Sequence, residues 1–152
     1  MAVIILKTQI AAPIEKCFDL SRSIDLHLKS MQHTDERAID GRTSGLIGFH
    51  ETVTWKARHF RILFRMKVKI TEMKYPDHFT DELVTGPFSK FHHQHRFQSA
   101  CGKTEMTDRL EFVSPFGLWG RLADWLFLKK YLRKLLLERN KMIRLEAERA
   151  LN

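Results

Sequence analysis

Two histidines and one aspartate carry the most definite chemistry in this chain. In the run Phe91-His92-His93-Gln94-His95-Arg96-Phe97, His93 and His95 alternate in step with Phe91 and Phe97. In a strand they share one face with two aromatic rings. Beyond Cys101-Gly102, Thr104, Met106, Asp108, Leu110 and Phe112 alternate in the same way. A two-residue turn at 101–102 sets His95 opposite Asp108, close enough for their side chains to interact. A turn one residue longer shifts that pairing. An imidazole beside a carboxylate can act as a general acid–base, or orient a ligand carbonyl or hydroxyl. Asp108 would fix its tautomer and favour the charged ring. The same pair can also be purely structural, two buried polar groups satisfying each other.

Other combinations are weaker. Glu51 shares a strand face with Phe49 and Trp55, as a base or ligand hook if that face is enclosed, and as a wet carboxylate if it is not. His92 and His93 are neighbours on a strand and point to opposite faces, so they do not share an ion. His93 and His95 have a spacing that could share one, with Asp108 as a third ligand. The aromatic surroundings and the missing fourth donor lead to the expectation of no metal and no cofactor. Gly41, Gly45 and Gly48 make a glycine-rich loop without the lysine and hydroxyl ending of a phosphate loop, so it reads as a turn between strands.

These residues need a sheet to hold them and something to cover it. Residues 3–10 read as an edge strand ending at Ala12-Pro13. Two short helices follow, at about 13–20 and 22–30. Strands are expected at 34–40, 49–58, 62–71, 79–85, 91–97 and 104–112. Those from 49 onward alternate with period two, as antiparallel strands with one buried and one wet face do. Ser114-Pro115-Phe116-Gly117 ends the sheet, and residues 118–150 read as one long helix. Leu118, Leu122, Trp125, Leu128, Leu132, Leu135, Leu136 and Ile143 approximate its apolar stripe. A curved antiparallel sheet must have its apolar face covered, and only this helix is long enough to do so. Large side chains pointing between the two, namely Trp55, Phe64, Met66, Phe79, Phe91, Met106 and Trp125, read as plain core or as the lining of an apolar pocket.

The order of elements resembles the START-like, Bet v 1-like helix-grip superfamily, in particular its bacterial ligand-binding branch of polyketide cyclase/dehydrase-like and CoxG-like proteins. The carriers are Ile10-Ala11-Ala12-Pro13-Ile14-Glu15, Val53 to Phe60, Gly86-Pro87-Phe88 followed by His93 to Phe97, Thr107-Asp108, and Ser114-Pro115-Phe116-Gly117. Their order along nearly the whole chain is more specific than any one of them. The resemblance implies an α+β helix-grip domain over residues 1–152. About seven strands would wrap around a C-terminal helix, with two short helices after the first strand. It also implies a cavity for a hydrophobic or amphipathic ligand such as a lipid, polyketide or isoprenoid. Glu51, His93, His95 and Asp108 would orient that ligand. Because this fold hosts many activities, an enzyme of cyclase, dehydrase or hydrolase type using His95 and Asp108 stays open. So do a membrane-peripheral lipid carrier and a partner-binding module.

Composition narrows the partners. The 152 residues hold 26 Lys and Arg against 18 Asp and Glu, for a net charge of +8. Most of the excess lies in residues 129–144, where seven basic side chains meet only Glu138. Lys129, Lys130, Arg133 and Lys134 suit an anionic membrane surface or an acidic partner, or simply a solvated face. No helix-turn-helix, zinc finger or RNA-recognition signature accompanies them, so sequence-specific nucleic-acid binding is not expected. Trp119, Leu126 and Phe127 fall partly off the core stripe and suit a membrane interface or a homodimer contact. The longest uncharged stretch, Phe112–Gly120, is nine residues, too short to span a bilayer. Val3 to Leu6 is too short for a secretory signal core. Cys17 and Cys101 lack a CxxC spacing and read as reduced thiols of a cytoplasmic protein.

Overall fold

The structure is a computed structural model that describes residues 1–149. Strand β1 (Ala2–Ile10) leads into helices α1 (Ile14–Ser21) and α2 (Ile24–Ser30), then a short 3₁₀ turn (Gln32–Thr34). Pro13 precedes α1, and Ser23 caps α2 by accepting from the Leu26 N–H at 3.2 Å. Six strands follow: β2 (Arg37–Gly41), β3 (Thr52–His59), β4 (Ile62–Lys74), β5 (His78–Thr85), β6 (Lys90–Ala100) and β7 (Lys103–Val113). All neighbouring strands pair antiparallel, in the order β1-β7-β6-β5-β4-β3-β2. Register shifts within β2–β3 and β4–β5 bend the sheet. The curved seven-stranded sheet, the two short helices and a long C-terminal helix make the helix-grip arrangement expected.

Turn chemistry sets the register that matters most. Cys101 and Gly102 both have positive φ, 51° and 75°, which a tight two-residue hairpin turn of this hand requires. Ala100 therefore pairs with Lys103, and along the ladder Phe97 pairs with Met106, His95 with Asp108 and His93 with Leu110.

Two local expectations are corrected. Strand β3 begins at Thr52 rather than 49, because the backbone turns at His50, whose φ is 66°. The C-terminal helix is not continuous. It comprises α3 (Gly117–Ala123), a π turn (Asp124–Leu128) and α4 (Lys129–Arg149). The tail of the expected helix beyond 149 lies outside the described residues. Asp124 is buried at the start of the π turn, where its carboxylate accepts from the Ser114 N–H at 3.1 Å and from the Ser114 hydroxyl. Gly120 sits so close to Pro115 that a Cβ there would lie 2.0 Å from the Pro115 carbonyl oxygen. A wider turn resets which face follows. The residues buried on α4 are Leu136, Arg139, Asn140, Ile143 and Ala147. Leu118 and Trp125, expected on the core stripe, are exposed instead.

The main core gathers Phe18 of α1 against Phe79 and Phe97, at ring distances of 5.3 Å in both cases, with Ile143 and Ala147 from α4. A second cluster joins Ile4, Leu6, Leu110, Phe112 and Leu136. No helix among the described residues is long and apolar enough to cross a membrane.

Candidate functional site

Between the concave sheet face and the C-terminal helical segment lies a cavity of about 630 Å³. Strand alternation puts Val53, Trp55, Ala57 and His59 of β3 on its wall, and Phe64, Met66, Val68 and Ile70 of β4 beside them. Phe79, Phe91, His93 and His95 continue the wall across β5 and β6, and Leu128, Leu132 and Leu136 close it from the helical side. Thus seven of the anticipated lining residues reach the cavity: Trp55, Phe64, Met66, Phe79, Phe91, His93 and His95.

Four others lie elsewhere. Met106 is wholly buried in the main core, with the Ser21 hydroxyl donating to its sulfur at 3.3 Å. Asp108 is wholly buried behind the histidines and does not reach the cavity surface. Trp125 is exposed on the π turn. Glu51 stands before β3, where it accepts from the Gly48 N–H at 2.6 Å and pairs with Arg42 on the outer rim. Arg42 and the Gly48 N–H hold its carboxyl below the usual range, against a small push from burial. It is a loop clasp rather than part of the cavity face, because the turn at His50 removes it from the strand's alternation.

Polar groups interrupt the apolar wall at the His27–Glu36 pair, at the His59–Tyr131 pair and, most deeply buried, at His93 and His95. His93 Nε2 lies 3.0 Å from Asp108 Oδ1, and His95 Nδ1 lies 2.9 Å from the same oxygen. The first contact is a hydrogen bond. The second is too poorly aligned to be one and leaves the buried His95 Nδ1 without a hydrogen-bond partner among the described residues. Asp81 approaches from β5, its Oδ1 3.0 Å from His95 Nε2 and 3.9 Å from His93 Nδ1. From α4, Arg139 reaches Asp108 Oδ1 at 3.4 Å and donates to the Ser21 carbonyl at 2.9 Å. Asn140 donates to Asp108 Oδ2 at 2.6 Å. The Phe79 ring stacks on His95 at 4.2 Å.

Three of these partners were missed by sequence reading. Asp81 sits two residues after Phe79 and so shares its inward face, which was a usable signal. Arg139 and Asn140 lie in the basic run, yet Arg139 is three residues after Leu136 and four before Ile143, in phase with the buried stripe.

Electrostatics follow from burial and from this geometry. Burial pushes the Asp108 carboxyl up, but the contacts with His93 and His95 and the charge of Arg139 outweigh it and hold the group well below the usual range. Asp81 is lowered likewise: burial raises it, while His95, His93 and Arg139 lower it more. Burial pushes His93 down, helped by the neighbouring His95 and opposed by Asp108 and Asp81. His93 is thus held neutral, with its Nε2 proton donated to the Asp108 carboxylate, an acceptor only. A histidine with a depressed folded pKa contributes stability that is full above its unfolded value of about 6.5 and is lost as pH falls through the folded one. His93 therefore contributes a drop in the wild-type urea midpoint between about pH 7.5 and about pH 5.5, which His78, raised by its contacts with Asp77 and Glu72, opposes. His93→Asn should show a smaller drop over the same interval, and an equal drop would contradict this assignment.

The cluster can bind and orient a polar group at the wall of an apolar chamber, and it can exchange a proton through its imidazoles. No family model matches the chain. No curated protein matches it either. Solved structures do. The Zhui aromatase/cyclase from Streptomyces sp. R1128 superposes with a TM-score of 0.77 at 11% identity, over 99% of this chain and 96% of its own. A START superfamily protein from Mycobacterium smegmatis gives 0.71 at 10% identity, over 97% and 98%. The ginseng major latex-like protein 151 from Panax ginseng gives 0.70 at 12% identity, over 96% and 97%. At these identities the likeness speaks for architecture alone: the chain has the helix-grip fold that these solved structures share.

Proposed function

We propose that the protein binds one small hydrophobic or amphipathic molecule, of lipid, polyketide or isoprenoid type, between its sheet and its C-terminal helical segment. The observation that carries this reading is the cavity itself, about 630 Å³ with mainly apolar walls and a buried cluster of histidines and carboxylates. That volume is in the range of small-molecule sites, roughly 300–1,000 Å³. Apolar side chains supply affinity by excluding water. His93, His95 and Asp81 face the cavity and orient the ligand's polar end, with Asp108 behind them. The fold shared with an aromatase/cyclase keeps a cyclase or dehydrase reaction through His95 and Asp108 as the alternative, since His95 lies on the cavity wall with Asp108 behind it. The free thiols, Cys17 buried and Cys101 exposed, fit action in the cytoplasm. The test is titration with cis-parinaric acid, a fluorescent fatty acid. One saturable site per chain is expected, and no saturable fluorescence increase would remove the reading.

A second reading concerns delivery. Phe116, Leu118, Trp119, Trp125 and Phe127 stand out from the α3 and π-turn region, each at least 69% exposed. Phe116 and Trp119 also border the cavity. Lys129, Lys130, Arg133 and Lys134 follow directly, exposed and without ion-pair partners among the described residues. Apolar rings beside a basic stretch suit an anionic membrane surface, at about 1 kcal/mol per basic residue. Changing those four basic residues to serine should abolish sedimentation with phosphatidylserine-containing vesicles. Changing Trp119 and Phe127 to serine should do the same. Vesicle binding by neither wild type nor variants, with a dimer in solution, would assign the patch to a second copy instead.

A further inference from the structure

Three donor atoms on the cavity wall converge. Asp81 Oδ1, a His93 nitrogen and a His95 nitrogen lie within 4.8 Å of one another. Around an ion with bonds of about 2.0–2.2 Å, such donors stand roughly 3–3.5 Å apart. The Asp81–His95 distance of 3.0 Å already meets that, and the Asp81–His93 distance of 3.9 Å needs only a small rotation. Each histidine has a division of labour between its nitrogens. His93 Nδ1 and His95 Nε2 face Asp81, while His93 Nε2 and His95 Nδ1 face Asp108. A ligating histidine commonly gives its other ring N–H to a carboxylate, which fixes tautomer and ring orientation. Asp108 stands in that position for His93, lies 2.9 Å from His95 Nδ1 without alignment, and is itself held by Asn140 and Arg139.

Two further observations point the same way. His95 Nδ1 is buried without an aligned partner. A cation on Nε2 would place the ring proton on Nδ1, against the Asp108 oxygen 2.9 Å away. Two carboxylates, Asp108 wholly buried and Asp81 mostly so, also meet at this cluster, and among the described residues only Arg139 brings a guanidinium or ammonium group to them.

We propose that Asp81, His93 and His95 form a mononuclear site for a divalent transition metal, with its open coordination positions turned into the cavity. Two imidazoles and one carboxylate suit zinc or ferrous iron. Asp81 is the ligand absent from the sequence expectation of no metal, which had only Asp108 to offer. An open position facing an apolar chamber would take a carbonyl or hydroxyl oxygen and polarise it. The site stands on its donor geometry and does not depend on which molecule the cavity accepts.

The test uses full-length protein stripped with EDTA, dialysed into metal-free buffer and titrated with Zn²⁺ by calorimetry and with Co²⁺ by visible absorption. One equivalent per chain is expected, with a Co²⁺ spectrum of nitrogen and oxygen coordination. Asp81→Asn, nearly the same shape, should weaken Zn²⁺ binding at least tenfold while keeping the far-ultraviolet dichroism of wild type. Asp108→Asn, which touches no metal, should weaken it by about 10–100-fold. Glu51→Gln, on the outer rim, should change nothing. Failure of folded wild type to bind Zn²⁺ or Co²⁺ stoichiometrically, or equal binding by wild type and Asp81→Asn, overturns the proposal. Parinaric acid titration of the same stripped protein separates this outcome from failure of the ligand-binding reading.

Discussion

Replacing Asp108 by alanine should lower the unfolding free energy by about 3–5 kcal/mol, among the largest single losses available in this chain. Asp108 is wholly buried and touches His93, His95, Arg139 and Asn140. Removing it leaves the Arg139 guanidinium, 6% exposed, without its carboxylate and leaves the Asn140 amide without its closest acceptor. A buried charge stripped of its partner costs far more than the intact pair contributes. For a chain of this length the melting temperature should fall by about 6–20 °C. The mechanism has a sharper signature than the size of the loss. Arg139→Met in the Asp108→Ala background should recover part of the stability, because the orphaned charge goes as well. A double-mutant cycle measures this coupling. Independent, additive losses would show that the two side chains do not answer each other in the folded protein.

Replacing Ala57 by tryptophan should abolish ligand uptake while leaving the fold intact. Ala57 lies on β3 opposite Phe64, with its methyl on the cavity wall between Trp55 and His59. In a close-packed core the added indole would cost about 1–3 kcal/mol through strained neighbours. Here it has empty volume to enter, so the cost should stay below that range. The affinity for parinaric acid should fall at least tenfold, about 1.4 kcal/mol. Retained affinity would place the ligand outside the cavity, and a large loss of stability would mean that the space beside Ala57 is already filled. Ala57 carries no polar group, so the variant tests the chamber without touching the His–Asp cluster.

Strand periodicity makes much of this legible in the sequence itself. The register of β6 with β7 followed from one turn, because Cys101-Gly102 admits a tight hairpin and the alternation of Phe91, His93, His95 and Phe97 leaves a single inward phase. What stayed hidden depended on contacts between elements. Asp81 shares the inward phase of Phe79, but which side chains it meets is fixed only when β5 is set against β6, where it pairs with His93. Arg139 reads as one more charge in a basic run, because a guanidinium is buried only when a carboxylate from another element meets it. Trp125 was misplaced by a π turn, which shifts helical phase without any glycine or proline to announce it. Glu51 was misplaced by a left-handed His50, a conformation uncommon for a residue with a side chain.

The claim beneath all of these is that a molecule occupies the space between sheet and C-terminal helical segment. The most direct measurement is mass spectrometry of the organic extract from denatured protein, comparing wild type with Ala57→Trp purified in parallel. The expected result is an apolar or amphipathic compound, recurring across preparations in near-stoichiometric amount with wild type and missing from the variant. The same compound in equal amount from both proteins, or no compound from wild type together with no saturable parinaric acid site, would contradict it.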